Sequence, residues 1–181
     1  MTGRTKAGQK GFTLIELLVA IPIAALVMLA ASGAIVQLIH SSRASAQMNA
    51  IRQVQMAGTW ISRDGLQAQT VIIDPDPATD NLCTFVWHDD TVTPHKDIVV
   101  FYEVKAMSSG SLSELQRQVN VKIEGASTTT TTTTIVARNL VSAALDDMGT
   151  SFKLEVASTV GQKTVTRTYE VTPRPAGNSG T

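Results

Sequence analysis

Residues 17–39 read LLVAIPIAALVMLAASGAIVQLI, 23 positions without a charge, in which Ser32 and Gln37 are the clearly polar side chains. No other feature constrains the fold of this chain so much. A run of about 20 apolar residues wound as a helix matches the hydrocarbon thickness of a bilayer. Such a helix also satisfies its own backbone hydrogen bonds where no water is present. Arg4, Lys6 and Lys10 precede the run, with no acidic residue among them. Basic flanks stay on the cytoplasmic side, so the rest of the chain is expected to face outward. Over all 181 residues the formal net charge is zero, which offers no electrostatic case for nucleic acid. Without residues 1–11 the balance is 12 basic against 15 acidic side chains, a net charge of −3.

Glu16 stands four residues into an apolar stretch that begins at Phe12. A carboxylate at membrane depth costs about 2.5–3.5 kcal/mol on insertion scales unless something pairs with it. A cleaved secretory signal peptide, with Ala30, Ala31, Ser32, Gly33 and Ala34 as a candidate cut site, has no use for that cost. A plain single-pass anchor has none either. The bland alternative is a carboxylate that snorkels to the interface. The functional one is a charge kept because something must meet it.

The segment Lys10-Gly11-Phe12-Thr13-Leu14-Ile15-Glu16-Leu17-Leu18-Val19-Ala20-Ile21 closely resembles the processing motif of type IV prepilins and pseudopilins. The resemblance implies that a membrane-embedded prepilin peptidase cuts between Gly11 and Phe12 and methylates the new amine of Phe12. Gly11 suits a tight protease site that needs an extended backbone. Glu16 would then be the fifth residue of the mature chain. In a helical filament its carboxylate would face the Phe12 amine of another subunit, neutralising two charges in a low-dielectric core and setting axial register. The implied partners are the peptidase, other pilin or pseudopilin subunits, an inner-membrane assembly platform and the lipid of the cytoplasmic membrane. Some tip subunits of the family bind DNA or surfaces, but no residue here supports that. Pro22 departs from the common pattern. It lacks an amide hydrogen and clashes with the carbonyl of Leu18, so a helix kink is expected there, although membrane helices tolerate proline when neighbours satisfy the freed groups.

Beyond residue 39 no strong stop signal appears. Ala44, Met48, Ile51, Val54, Gly58 and Ile61 recur at helical spacing, with Arg43, Gln47, Arg52, Gln53 and Arg63 largely between them. One helix over about residues 12–69 is expected, with Met48, Ile51 and Ile61 in a core and Gly58 and Gly65 as its weak points. Residues 74–81 read as a loop. Strand-like runs follow at 82–87, 98–104, 115–123, 152–157 and 165–171, and the third places Leu115, Arg117, Val119, Val121 and Ile123 on one face. Residues 138–148 read as a short connecting helix. The seven threonines at 128–134 read as an exposed hairpin loop, with O-glycosylation as a runner-up. The expected fold class is α+β, a long amino-terminal helix packed on a carboxy-terminal antiparallel sheet. Its divisions are a cleaved leader at 1–11, a transmembrane and filament-core helix at 12–39, the amphipathic half of that helix at 40–69, a β-rich head at 70–172 and a frayed tail at 173–181.

Catalytic chemistry is not legible. His88, Asp89, Asp90 and His95 are the best metal candidates, but their spacing matches no standard zinc pattern and the segment reads as a solvated hairpin turn. Asp74, Asp76 and Asp80 suggest a calcium loop but lack its glycine and terminal glutamate. The single cysteine, Cys83, reads as a small buried hydrophobe. No cofactor and no enzymatic activity are expected. The order of elements, with Leu115-Gln116-Arg117-Gln118-Val119 as a strand in mid-head, looks similar to minor pilins and J-type pseudopilins. The expected function is therefore a structural subunit of a type IV pilus or a type II secretion pseudopilus. Two other readings stand beside it: a membrane-anchored extracytoplasmic binding protein that never polymerises, and a head released by signal peptidase near Ser32.

Overall fold

The computed structural model describes residues 13–74, 80–108 and 110–173. The leader, the tail beyond Pro173 and most of the 74–81 loop lie outside them. The chain forms two compact units, Met1–Ser42 and Arg43–Thr181. Helix α1 spans Leu14–Gln67 and includes Pro22. Seven strands follow: β1 (Thr70–Ile73), β2 (Asn81–Asp89), β3 (Lys96–Ala106), β4 (Ser113–Ile123), β5 (Thr129–Asp147), β6 (Phe152–Val160) and β7 (Lys163–Val171). They make one sheet in strict sequence order, and every neighbouring pair is antiparallel. The α+β class expected from the sequence is the class observed. Short turns join strands of alternating pattern, so each strand pairs with the next and no crossover is needed.

The described part of the first unit is an apolar helical segment whose large side chains point outward, with Leu14 83%, Leu26 66% and Leu38 70% exposed. It is long and apolar enough to cross a membrane. In the second unit, the helix from Arg43 onward lies on one face of the sheet. Its buried stripe is Ala50, Val54, Ala57, Gly58, Ile61, Asp64 and Gly65. The expected stripe drifts off this face at its start, since Met48 is 57% exposed. Small residues carry the contact there, and a hydropathy pattern undervalues them. The two glycines are places of close approach. A Cβ on Gly58 would sit 2.2 Å from the Tyr169 ring, and one on Gly65 would sit 2.6 Å from Phe152. Tyr169 also donates its hydroxyl to the carbonyl of Val54 at 3.2 Å. Behind the helix, Phe85 meets Tyr102 edge-on at 5.8 Å between ring centres and Phe152 at 5.6 Å. Val100, Leu115, Leu154 and Val156 complete this core at 0% exposure.

Two expectations fail in β5. Residues 138–147 are strand, in the half of β5 that pairs with β6 from Leu140 opposite Ser158 to Asp147 opposite Phe152. The local sequence, rich in alanine and leucine, favours helix, but pairing with β6 overrides a propensity of a few tenths of a kcal/mol per residue. The threonine run is strand as well. Thr129 to Thr134 lie opposite Lys122 to Arg117 of β4. β-branched side chains suit a pleated ladder, and β4 supplies the register that a homopolymer lacks. Asn139 stands between the two halves at φ 58°, a conformation that asparagine tolerates better than most residues. Strand β1 was not legible, because four residues lie between a long helix and a loop.

Candidate functional site

The amino terminus of α1 is built by two side chains. Glu16 Oε2 accepts the Thr13 N–H at 2.9 Å and the Thr13 Oγ1–H at 2.9 Å. Thr13 Oγ1 in turn accepts the Glu16 N–H at 3.4 Å, and the carbonyl of Thr13 accepts the first helical bond, from Leu17, at 3.3 Å. This is a capping box. It satisfies two of the donors that every helix start leaves open, and it places a carboxylate at the positive end of the helix dipole. Thr-x-x-Glu before an apolar run is its signature, so the box was legible in the sequence and was missed. Both side-chain bonds that Glu16 accepts use Oε2.

The head carries two polar clusters. In the first, Asp64 on the buried face of α1 is 2% exposed. Arg117 of β4 donates from Nε to Asp64 Oδ2 at 2.6 Å and from a terminal nitrogen to Oδ1 at 3.0 Å. The Tyr102 hydroxyl of β3 donates to Oδ2 at 2.6 Å. The guanidinium also lies 5.0 Å from the centre of the Trp60 ring. Burial and the Asp64 charge push the Tyr102 phenol far above its ordinary value. The arrangement ties helix to sheet at a fixed position, and its members are all engaged with one another. The alternation of β4 had already put Arg117 on the core-facing side. A charge at such a position is the signal that a buried acid must face it.

The second cluster closes the β2–β3 hairpin. His88 Nδ1 pairs with Asp97, the residue directly across the ladder. His88 Nε2 lies 3.0 Å from Asp90, and His95 Nδ1 lies 3.4 Å from the same Asp90 oxygen. The bond to Asp97 raises the His88 pKa above its ordinary value, and the charges of Asp90, Asp97 and Glu124 add to the shift, while partial desolvation opposes it. Asp89, grouped with these residues on sequence, turns to Thr91 instead, whose N–H it accepts at 3.0 Å. Asp97 was not foreseen; the hairpin register brings it in. Among the described residues, no three His, Cys, Asp or Glu side chains converge in a way that could hold a metal ion. Cys83 is fully buried, and burial pushes its thiol far above the usual range, which leaves it unreactive.

Among the described residues, the feature tied to a recognisable task is the helix start, where an apolar, outward-facing segment carries one capped carboxylate. A family model described as the prokaryotic N-terminal methylation motif matches residues 6–32. The amino-terminal segment is thus similar to that of type IV pilin-like proteins. No match was found among curated proteins or among solved structures. The match spans the capping box, Pro22 and the apolar segment as far as Ser32. Gly11 and Phe12 fall within it but lie outside the described residues. Glu16 and Pro22 both lie on α1, within the matched segment. Its apolar first unit fits membrane anchoring.

Proposed function

We propose that this pilin-like chain is a structural subunit, a minor pilin or pseudopilin, of a type IV pilus or a type II secretion pseudopilus. Prepilin peptidase cuts the precursor after Gly11 and methylates the amine of Phe12. The subunit waits in the cytoplasmic membrane with its head outside, docks on the inner-membrane assembly platform and polymerises with other subunits through α1. The observation that carries this reading is the coincidence of the methylation motif at residues 6–32 with a helix start that holds one carboxylate and is otherwise apolar. Because both capping bonds use Oε2, Oε1 is the oxygen that would receive the Phe12 amine of a neighbouring subunit. An unpaired charge in that core is costly, so assembly selects the register in which the two meet. Pro22 would bend the helix or ease its withdrawal from lipid.

Glu16→Gln separates this role from capping. Glutamine also closes a capping box, so the variant should be processed and inserted normally. Having no charge to offer the amine, it should yield few or no filaments in the sheared surface fraction. Wild-type filament yield from Glu16→Gln would remove the charge-pairing account.

A further inference from the structure

The filament reading does not say which surface of the head meets another subunit, and the sheet offers an answer of its own. Strand β5 is 19 residues long and changes partner halfway. Along residues 129–137 its one neighbour among the described strands is β4, because β6 joins only at Leu140 opposite Ser158. Where the strand leaves its free edge, Gln53 of α1 accepts the Arg138 N–H at 2.7 Å. Residues 129–135 before that point are all exposed, including Ile135 at 40%. In an antiparallel ladder every second residue turns its N–H and C=O away from its partner, so about three or four residues of this half-edge present both groups outward.

The two outermost strands are protected. β1 is four residues long, and β7 carries Lys163, Arg167 and Glu170. Short edges and edge charges are the usual defences against strand addition. Residues 129–134 are six threonines with no charge, proline or bulge among them. We infer that residues 129–135 of β5 pair antiparallel with the same residues of a second copy of this chain, about a two-fold axis near Thr132. The occupant is argued from the edge itself. An uncharged edge meets its own copy without like-charge repulsion. Centred on Thr132, the pairing sets threonine opposite threonine from Thr130 to Thr134 and Thr129 opposite Ile135 at each end, both favourable cross-strand pairs. The two-fold contact is self-complementary and closes on itself, so it joins two subunits side by side in the membrane and is not the repeating contact of the filament. Centring it on Thr132 brings all seven residues of the half-edge into the pairing.

The test is a cysteine scan in the full-length chain held in its own membrane. Cys83 is fully buried and gives a silent background. Single Thr130→Cys, Thr131→Cys, Thr132→Cys and Thr133→Cys variants, with Thr166→Cys on β7 as an exposed control, are treated with a short thiol cross-linker. An antiparallel pair places one residue opposite itself. The scan should therefore peak at one position, expected at Thr132, with a rate about tenfold or more above the control, because pairing raises the local thiol concentration. Adding Thr131→Lys and Thr133→Lys to the peak variant should return it to the control rate, since like charges then face each other, while Thr131→Ser and Thr133→Ser should leave the peak in place. A flat scan, a peak that survives the lysines, or an intact mass showing sugar on residues 128–134 would overturn the proposal.

Discussion

Glu16 and Asp64 are two carboxylates on one helix with opposite surroundings. Glu16 is held by its own helix start and stands exposed in a segment otherwise apolar. Asp64 is buried and held by the sheet. For Asp64 the direction of the energetics is clear. Removing one partner of a buried ion pair leaves the other charge without compensation, at about 3–5 kcal/mol. Asp64→Ala should thus cost about that much in denaturant unfolding, and Asp64→Ala with Arg117→Met should recover much of the loss. A double variant as unstable as the single one would mean that the packing around Trp60, rather than the charge, is what was lost. His88 behaves differently, because its partners are exposed. The bond to Asp97 raises its pKa in the folded chain above the ordinary value of about 6.5. The pairing therefore contributes fully below about pH 6.5 and is lost as pH rises through the folded value. The ring proton signals of His88 should titrate above the ordinary histidine midpoint, and Asp97→Asn should move that midpoint down.

At the level of elements, the second half of α1 is shaped to sit close to the sheet. Gly58→Ala should therefore be destabilising by about 1–3 kcal/mol, because the added methyl group meets the Tyr169 ring and not solvent. A melting temperature at or above wild type would show that the ring simply moves aside. This element also marks the limit of what sequence periodicity reveals. The long helix, five strands and the antiparallel order were legible because apolar and polar residues alternate with the period of each element. The face of the helix was only half legible, since Ala50, Ala57 and Gly65 bury themselves by being small. β5 was not legible at all. Its threonine half has no apolar alternation, its second half has the composition of a helix, and both become strand by pairing with the neighbouring strands β4 and β6. Of the candidate site, Glu16 stood out as a misplaced charge, but its bond to Thr13 was overlooked although the spacing displays it. The Asp64 contact needed the register of β3 and β4, which no local pattern supplies.

For the whole molecule, two units meet different demands. The described part of the first unit, residues 13–42, has an apolar surface suited to lipid or to the packed interior of a filament, while the second unit holds a core of its own. That division suits the proposed subunit, which would have to be stable first in a membrane and later in a polymer. The reading of the chain as a processed subunit turns on one chemical event, cleavage after Gly11. The most direct measurement is the mass spectrum of the amino-terminal peptide of the chain isolated from its native membrane. The account predicts a peptide that begins at Phe12 and carries one added methyl group on its amine. A chain that still begins at Met1, or one cut near Gly33, would contradict it.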